Sequence, residues 1–387
     1  MRLLYCAFDR VPAPKGASRH ILAFVEGLTQ AGVEVDLCCL TPPELTRIAG
    51  ARCLPPPPRA PSILDRALAF GRLAASYARQ GHYQLIQFRS PWEGLELVRW
   101  PGHPPLLFEV NGLPSIEWPL SYPALTKEPQ LIAKLQHRED AVLKAVEGVI
   151  TPSPVTASWL QARGAKRVAV IANGVDGSAW GNAPRQPEMP PEVFYMGTFS
   201  PWQGLDTAID ALALLPAPIK LRLVGPRDRG DAGRLLRTAQ ALGVGDRLLI
   251  QPAVAPGLLD TFLARAAVAI APLADDPRNR RQGACPIKLL EYLAAGCPVV
   301  ASRLPLVEAL VSHGEDAWLV PPDDPTALAT GIAALLDDPA LAARLARLGR
   351  QLAERHSWAN AVAQLQAVHG ALLNRPGLPP GPGPWLG

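Results

Sequence analysis

Several short motifs that mark common nucleotide and metal chemistries are missing from this sequence. It contains neither G-x-G-x-x-G nor G-x-x-x-x-G-K-[ST], which argues against dinucleotide redox chemistry and P-loop phosphate chemistry. D-x-D is also missing, which argues against a site where two aspartates hold a metal ion on a diphosphate. No two cysteines have C-x-x-C spacing, and the histidines form no ligand-spaced cluster. The sequence therefore predicts no metal site.

Charged residues and long apolar runs are also scarce. Of the 387 residues 19% are charged and 48% hydrophobic, as in a globular enzyme of two ordinary domains. The net charge is only +4 and no dense Lys/Arg block occurs, so nucleic-acid binding is not expected, while weak attraction to anionic lipid headgroups stays open. No apolar stretch approaches membrane-spanning length. The run Leu3 to Phe8 is too short for the core of a signal peptide.

The cysteines indicate the compartment. Cys6, Cys38 and Cys39 fall inside predicted buried strands, where a free thiol behaves as a small apolar residue. This use of cysteine is typical of a reducing compartment. We therefore expect a cytoplasmic protein, and peripheral contact with the inner face of the membrane stays open.

The order strand, loop, helix, strand occurs twice in the chain, and each occurrence is the opening unit of a doubly wound parallel sheet. The sequence thus predicts an α/β protein with two Rossmann-like doubly wound domains facing a cleft. The predicted units are Leu3–Phe8, Ser18–Gln30 and Val33–Leu40 in the first half, and Val193–Met196, Leu205–Leu215 and Leu221–Val224 in the second.

A segment rich in Gly, Pro, Asn and Gln, residues 177–192, separates the two halves and predicts the domain boundary. We expect an N-terminal domain over 1–182 and a C-terminal domain over 183–356. A last helix at about 357–373 is expected to cross back onto the first domain. Residues 374–387 are rich in proline and glycine and are expected to form a disordered tail.

The stretch from Pro286 to Ser302 is the most informative part of the chain. It predicts a short helix, with Pro286 at its first position and Gly296 past its end, followed by a buried strand. Lys288 lies in the first turn, where the helix dipole disfavours a cation but a bound phosphate would favour one. Glu291, one turn later, has oxygens that accept hydrogen bonds from ribose hydroxyls. An ordinary Lys–Glu surface pair is the competing interpretation.

With these motifs the chain resembles a family 4 glycosyltransferase of the GT-B fold, over nearly its whole length. The motifs in question are Lys15-Gly16-Ala17, Val149 to Ser153, Asn173-Gly-Val-Asp176, Gly197 to Gly204, Leu223-Val-Gly225 and Pro286 to Ser302. The resemblance implies a retaining hexosyltransferase that needs neither a metal nor another cofactor. It would move a sugar from a nucleotide-diphosphate donor, and it fits polysaccharide biosynthesis.

The resemblance also implies roles for individual residues. Lys288 would meet the donor diphosphate and count as catalytic, and Glu291 would meet the ribose. Gly16 would let the first loop approach the donor, and the backbone around Val254 would meet the base. The donor-binding set predicted in this way is Gly16, Gly197, Thr198, Gln203, Gly204, Val254, Gly283, Ala284, Lys288 and Glu291.

Three positions depart from the family pattern. The usual arginine after the first glycine of the turn is Thr198, and the usual lysine before the second glycine is Gln203. A glutamate often found before the ribose glutamate is Gly283. The donor charge must then be met by fewer cations, which are Lys288 and, as open candidates, Arg278, Arg280 or Arg281.

In the first domain three polar residues follow predicted strands. Asn111 is the candidate equivalent of a histidine that many relatives place near the donor sugar, and Glu117 follows shortly after it; we predict both to be catalytic. Arg89 is a third polar group at a strand end. The competing interpretation for each is a loop or turn residue, because Asn111-Gly112 is also a plain turn signal.

Other functions stay open at this point. A GT-B-like epimerase or phosphorylase would share the architecture, although a phosphorylase would need a lysine for a pyridoxal cofactor and Lys288 cannot serve both roles. A non-catalytic nucleotide-sugar-binding protein is the alternative from another class. The acceptor, whether a glycan, a lipid-linked sugar or a small molecule, is not specified by the sequence.

Overall fold

The structure, a computed structural model, describes residues 1–58, 60–225, 229–373 and 385. Its contacts divide the chain into two compact units. The first contains Met1–Ala13, Ala17–Ala172 and Trp358–Gly387, and the second contains Pro14–Gly16 and Asn173–Ser357.

Strands form the two sheets of the protein. They are β1 Arg2–Ala7, β2 Glu34–Cys39, β3 Arg47–Ile48, β4 Ala51–Leu54, β5 Leu85–Phe88, β6 Leu106–Glu109, β7 Gly148–Thr151, β8 Val168–Val170, β9 Glu192–Met196, β10 Lys220–Gly225, β11 Leu248–Pro252, β12 Val268–Ala271, β13 Val299–Ser302 and β14 Trp318–Val320.

Helices connect most of these strands. They are α1 Gly16–Gln30, α2 Ile63–Gln80, α3 Pro91–Val98, α4 Pro114–Ser121, α5 Pro129–Ala145, α6 Pro154–Ala162, α7 Leu205–Leu214, α8 Arg229–Ala241, α9 Pro256–Arg265, α10 Ile287–Ala294, α11 Pro305–Glu308, α12 Pro325–Asp337, α13 Pro339–Arg355 and α14 Trp358–Leu373. Short 3-10 turns lie at Pro123–Lys127, Gly177–Ala179, Pro201–Gln203 and Gly245–Arg247, and a π-helical turn lies at Arg278–Gln282.

The sheet of the first unit has the order β3-β4-β2-β1-β5-β6-β7-β8 and is parallel except for the β3–β4 pair. The strand order reverses on either side of β1, so β1 and β5 flank the switch point where doubly wound sheets bind ligands. Arg89 directly follows β5, and Glu109 is the last residue of β6. Both side chains therefore belong to the carboxyl edge of the sheet, beside that switch point.

Both faces of this first sheet are buried, and β1 shows why its sequence is a continuous apolar run. Leu3 and Tyr5 lie in a cluster with side chains of α1 and of α14. Leu4 and Cys6 point to the opposite face and lie in a cluster with α2. Helix α14 comes last in the chain yet contributes Leu365 to the core of the first unit, where it is fully buried.

The second unit has a six-stranded parallel sheet with the order β11-β10-β9-β12-β13-β14. Its switch point lies between β9 and β12. Tyr195 faces a core that includes α7 and α12, while Phe194 faces the other side, with its ring 6.3 Å from that of Tyr292 on α10. The loops that follow β9 and β12 start at this switch point, so they are where the fold predicts a ligand.

These observations confirm the predicted fold class of two Rossmann-like α/β units with parallel sheets. The main transition between the units lies at Ala172–Asn173, earlier than the boundary expected after residue 182. The side chain of Asn173 donates to the carbonyl oxygen of Cys285, and the amide N–H of Gly181 donates to Asp260, so this linker already packs within the second unit. The expected disordered tail, 374–387, lies outside the described residues except for Trp385.

None of the described helices alone has the length and apolar content needed to cross a membrane. Helices α12 and α13 reach that length and content only when taken together, and they meet at an angle of 101°.

Candidate functional site

A glycine-bearing turn follows β9 and forms one wall of the site. Gly197 has φ +141° and Gly204 has φ +66°, in a region that disfavours other residues. A side chain at Gly204 would also overlap the carbonyl oxygen of Pro272, and a Cβ at Gly197 would lie 2.9 Å from the Nζ of Lys288. These glycines let the backbone of the turn come close to the lysine, as the sequence pattern indicated.

Lys288 lies in the first turn of α10 and is held by neutral groups. Its ammonium donates a hydrogen bond to the hydroxyl of Tyr195 at 2.9 Å and another to the side-chain oxygen of Gln203. It also lies 4.1 Å from the centroid of the Tyr195 ring. Among the described residues no carboxylate is within ion-pair distance of this ammonium. Its charge is thus solvated by oxygens and a ring but not neutralised.

This surrounding lowers the pKa of Lys288 well below its usual value. Burial is the main cause, because it removes water from the ammonium, and the positive charge of Arg278 adds to the effect. Two cations therefore share one region of the second unit. A partly buried ammonium without a carboxylate partner is costly, and a bound anion would relieve that cost.

Arg278 belongs to the loop between β12 and α10, which contains the π-helical turn Arg278–Gln282. Its guanidinium lies over the Trp202 ring, 5.0 Å from the centroid. Asn279, next to it, is fully buried and donates from Nδ2 to the carbonyl oxygens of Trp202 and Ala274 at 2.8 and 2.9 Å. This loop is thereby fastened to the glycine-bearing turn.

The start of α10 is held in place from two sides. Asn173, the first residue of the N-G-V-D motif, donates to the carbonyl oxygen of Cys285 at 2.6 Å. Gly283 has φ +72°, and its amide N–H donates to the carbonyl oxygen of Arg278 at 2.8 Å. Pro286 was expected at the first helical position, but that prediction is wrong by one residue: its ψ of 102° is extended, so it is the N-cap. Gly296 lies past the helix end with φ +65°, as expected.

Glu291 lies one turn after Lys288 on α10 and is 4% exposed. Its neighbour Tyr292 is fully buried and accepts a hydrogen bond from the amide N–H of Met196 at 2.8 Å, which ties α10 to the end of β9. The low exposure of Glu291 does not fit an ordinary Lys–Glu surface pair. A carboxylate buried to this degree is expected to be held by hydrogen bonds.

The other residues predicted to bind a donor lie in three loops and at the start of α1. The carbonyl oxygen of Thr198 accepts from the Tyr195 hydroxyl at 2.6 Å, and its Oγ1 accepts from Ser200 at 3.1 Å. Val254 is half-buried in the loop after β11, and Ala284 is half-buried before α10. Gly16 is the first residue of α1 and groups with the second unit. The structure thus brings Gly197 and Gln203 directly to Lys288.

A second polar cluster lies in the first unit around Glu109. One carboxylate oxygen accepts from the Tyr5 hydroxyl and from Gln87 Nε2, both at 2.7 Å. The other oxygen accepts a hydrogen bond from Asn111 Nδ2 at 2.8 Å and lies 2.9 Å from Arg89 Nε and 2.7 Å from His20 Nε2.

Burial alone would raise the pKa of Glu109, which is 1% exposed, but the charge of Arg89 and the contacts with His20 and Tyr5 outweigh it. The pKa of this carboxyl is therefore held far below its usual range, and it is ionised at neutral pH. His369, on α14, extends the cluster, because its Nε2 lies 2.8 Å from Gln87 Oε1. Burial lowers the pKa of His369 to about 4, so its imidazole is neutral.

The two residues of the first unit predicted to be catalytic are both next to Gly112. Asn111 is half-buried, and its orientation is fixed by the hydrogen bond to Glu109. The carboxylate of Glu117 lies over Gly112, where an added Cβ would come within 2.6 Å of its Cδ. A turn at Asn111-Gly112 and a hydrogen-bonding role for the Asn111 side chain are therefore compatible. The described residues contain no group of three or more His, Cys, Asp or Glu side chains placed to hold a metal ion.

Comparisons with known proteins agree with this geometry. The family description "Glycosyltransferase Family 4" matches residues 14–178, and "Glycosyl transferases group 1" matches residues 179–352. The D-inositol 3-phosphate glycosyltransferase of Acidothermus cellulolyticus is 28% identical over 403 residues, covering 92% of this chain and 85% of that protein.

Solved structures show the same fold. Sucrose-phosphate synthase from Thermosynechococcus elongatus has a TM-score of 0.80 at 21% identity, covering 96% of this chain and 99% of that one. Anabaena HepE, solved in complex with UDP-glucose, has a TM-score of 0.73 at 17% identity, with coverage of 96% and 100%.

Two parallel-sheet α/β units, with a lysine-bearing helix and a glycine turn at the switch point of the second, define a glycosyltransferase of the GT-B class. The chain belongs to glycosyltransferase family 4, as its motifs indicated.

Proposed function

We propose that the chain is a retaining, metal-independent glycosyltransferase that takes its sugar from a nucleoside-diphosphate donor bound by the second unit. The observation that carries the proposal is the ammonium of Lys288, held by Tyr195 and Gln203 without a carboxylate partner among the described residues. A diphosphate supplies the missing negative charge. HepE, a structural neighbour, was solved in complex with UDP-glucose, which supports a nucleotide sugar as the donor class.

The first chemical task of this site is to stabilise the leaving diphosphate. As the bond between the sugar and the diphosphate breaks, negative charge grows on the diphosphate oxygens. Lys288 and the amide N–H groups at the start of α10 meet that charge in a partly dehydrated setting, where fixed charges and dipoles act strongly. The diphosphate in turn stabilises the protonated form of Lys288, whose pKa is lowered in the free protein.

The charge of Lys288 supports a transfer that is independent of metal ions. A divalent cation on the diphosphate would lie near the ammonium of Lys288, which repels it. The ammonium also performs the neutralising task that such an ion performs in metal-dependent transferases. We therefore propose that no metal ion takes part in the transfer.

We propose that the sugar keeps its anomeric configuration. The buried carboxylate of Glu109 is a poor nucleophile for double displacement, because Tyr5, Gln87 and Asn111 donate hydrogen bonds to it and Arg89 lies 2.9 Å away. Gly283 occupies a position where many family members carry a glutamate. Departure of the diphosphate and attack from the same face fits these constraints, with the leaving diphosphate as proton acceptor.

The remaining predicted residues receive roles in the same scheme. Glu291 accepts hydrogen bonds from the ribose hydroxyls of the donor. Asn111 and Glu117 act in the transfer step from the first unit, and Glu109 orients Asn111. The acceptor is a hydroxyl-bearing glycan, lipid-linked sugar or small molecule. Peripheral contact with the cytoplasmic face of a membrane would suit a lipid-linked acceptor.

The test uses the purified chain, excess EDTA and a panel of UDP-, GDP- and ADP-sugars. We expect at least one donor to release its nucleoside diphosphate without added metal, and a product formed with a suitable acceptor to keep the donor's anomeric configuration by NMR. Asn111→Ala should slow release while leaving donor affinity near that of the wild type. Binding without release from any donor would favour a non-catalytic nucleotide-sugar-binding protein, and activity restored only by Mg²⁺ or Mn²⁺ would contradict the proposal.

A further inference from the structure

We propose that the hydroxyl of Tyr195 keeps the ammonium of Lys288 protonated and in place for the donor diphosphate, which makes Tyr195 a positioning residue of the transfer. The inference rests on the proposed function and deepens it, because it names the group that prepares Lys288 before the donor binds. Tyr195 is fully buried near the end of β9, so it acts through Lys288 and not by touching the ligand itself.

The orientation of the Tyr195 hydroxyl is fixed by the turn that follows β9. Its single proton is donated to the carbonyl oxygen of Thr198 at 2.6 Å. A carbonyl oxygen can only accept and an ammonium can only donate, so the lone pairs of the hydroxyl receive the N–H of Lys288, whose Nζ lies 2.9 Å away. The ring is held in the core of the second unit with side chains of α7 and α12. The hydroxyl is thus a preset acceptor for a cation.

Two properties of Tyr195 favour the charged form of Lys288. Its hydroxyl accepts a hydrogen bond from the ammonium, and its ring centroid lies 4.1 Å from Nζ. These contacts act against burial and the charge of Arg278, which together lower the pKa of Lys288. Gln203, from the glycine-bearing turn, adds another neutral acceptor. Neutral partners keep the charge of Lys288 available for a ligand, whereas a carboxylate would neutralise it.

The ammonium of Lys288 retains one donor for a ligand. Tyr195 and Gln203 receive two of its three N–H groups. Within the part of the chain that the structure describes, the third N–H has no hydrogen-bond acceptor. An oxygen of the donor diphosphate would supply that acceptor together with the negative charge.

The glycine at position 197 makes the contact between Tyr195 and Lys288 possible. A Cβ added there would lie 2.9 Å from Lys288 Nζ and 3.0 Å from the hydroxyl oxygen of Tyr195. A larger residue would therefore displace the two groups that meet under the turn. Thr198, which stands where the usual arginine of the family is missing, contributes its backbone carbonyl to the same arrangement. The turn thus positions Lys288 without adding a second charge.

Tyr292 offers a matched control in the same unit. It is also fully buried, and its hydroxyl also joins α10 to the end of β9, but it accepts from the amide N–H of Met196 at 2.8 Å. Tyr195→Phe and Tyr292→Phe therefore each remove one buried hydroxyl and one link between the same two elements. Only Tyr195→Phe removes an acceptor from Lys288.

The first measurement is an NMR titration of the ε-methylene group of Lys288, assigned with Lys288→Met, in the wild type and in both phenylalanine variants. The affinity of Lys288 for its proton should fall by about tenfold in Tyr195→Phe, because a hydrogen bond to a charged group is lost. It should stay unchanged in Tyr292→Phe. A tyrosine that only fills space would not change this titration.

The second measurement is calorimetry with UDP, GDP and ADP in EDTA at several pH values. Above the pKa that the titration gives for wild-type Lys288, Tyr195→Phe should bind the preferred diphosphate about tenfold more weakly, because the ammonium must first be restored. Well below that pKa all three proteins should bind alike. Comparison at equal pH cancels the ionisation of the nucleotide itself.

Tyr195→Met removes the same hydroxyl and is measured in the same way should Tyr195→Phe be too unstable to purify. A Lys288 titration and a diphosphate affinity equal to those of the wild type would overturn the inference, and weak binding by Lys288→Met would then leave the proposed function standing. A loss of affinity that is the same at every pH and equally large in Tyr292→Phe would make Tyr195 a purely structural residue, which also overturns the inference. A wild-type chain that binds none of the nucleotides would overturn both.

Discussion

The ammonium of Lys288 donates a hydrogen bond to the side-chain oxygen of Gln203, a neutral partner at a position where many family members carry a lysine. Replacing a lysine by glutamine at position 203 therefore does more than remove a charge. It supplies an acceptor that orients Lys288. Lys288 is thus positioned by neutral partners, and the proposed diphosphate would neutralise its charge.

The Gln203→Glu variant tests this relationship with an almost isosteric change. A carboxylate at position 203 would pair with Lys288 and compete with the diphosphate for its charge. We expect diphosphate affinity to fall by about tenfold or more, the loss of roughly one charged contact, while the melting temperature stays equal or rises. Gln203→Met is the control, since it removes the acceptor without adding charge, and it should weaken binding less. Equal affinity in Gln203→Glu and wild type would show that Lys288 does not meet the diphosphate.

The lowered pKa of Lys288 predicts a pH-dependent affinity. In the unfolded chain Lys288 keeps its proton up to its usual pKa, whereas in the folded chain it loses the proton at the lowered pKa. Between these two pH values the unfolded state binds more protons, so the stability of the free protein rises with pH. A bound diphosphate favours the ammonium and raises its pKa, so binding takes up a proton in the same window. Affinity should fall as pH rises through it.

Calorimetry in buffers of different ionisation enthalpy measures this proton uptake directly. The titrations should be run above about pH 7, because the terminal phosphate of the nucleotide is already ionised there and does not contribute to the proton uptake. Lys288→Met should bind weakly and show no such uptake. Identical uptake in Lys288→Met and the wild type would assign the proton to another group.

The ribose contact proposed for Glu291 predicts that the chain binds ribonucleotides more tightly than 2′-deoxyribonucleotides. Hydrogen bonds to a charged group are worth roughly 1.5–3 kcal/mol each, so Glu291→Gln should weaken UDP or GDP binding by about tenfold or more. The loss should be smaller for the 2′-deoxy nucleotide, because one hydroxyl partner is then already missing. A double-mutant cycle of protein and ligand gives the coupling energy. Equal losses for both nucleotides, with a lower melting temperature, would make Glu291 a purely structural residue.

His369 predicts a loss of stability in acid. Its folded pKa of about 4 lies below the unfolded value of 6.5, so the unfolded chain binds more protons between these values and stability falls as pH falls through this window. The full effect of this one group is roughly 3 kcal/mol. His369→Gln cannot titrate, so its deficit against the wild type in urea unfolding should shrink as pH drops from about 6.5 to about 4. A deficit that stays constant over that range would contradict the account.

Much of the fold was predictable because the signals were local. The apolar runs of β1, β9 and β10, and the amphipathic helices between them, lie within a residue or two of their predicted positions. The helix with Lys288 and Glu291 was predictable for the same reason. Its two polar residues are three positions apart, a glycine follows its last turn, and an apolar strand comes directly after it. The first residue of this helix was predicted one position too early, because proline is common at the first helical position and Pro286 is instead the N-cap.

The cluster around Glu109 could not be predicted, because its members come from distant parts of the chain. Tyr5 and Gln87 become neighbours only through the β1–β5 register, and His369 joins them from a helix more than two hundred residues further on. Contacts between residues so far apart in the chain leave no spacing pattern in the sequence. The contact of Trp202 with Arg278 was hidden for the same reason, since it depends on how two loops meet at the switch point.

A crystal structure of the chain with UDP or GDP, grown in excess EDTA, tests the central claim most directly. We predict diphosphate oxygens within hydrogen-bond distance of Lys288 Nζ, and ribose hydroxyls on the carboxylate of Glu291. A nucleotide bound away from the start of α10, or one that enters the crystal only with a divalent ion bridging its diphosphate to the protein, would contradict the account.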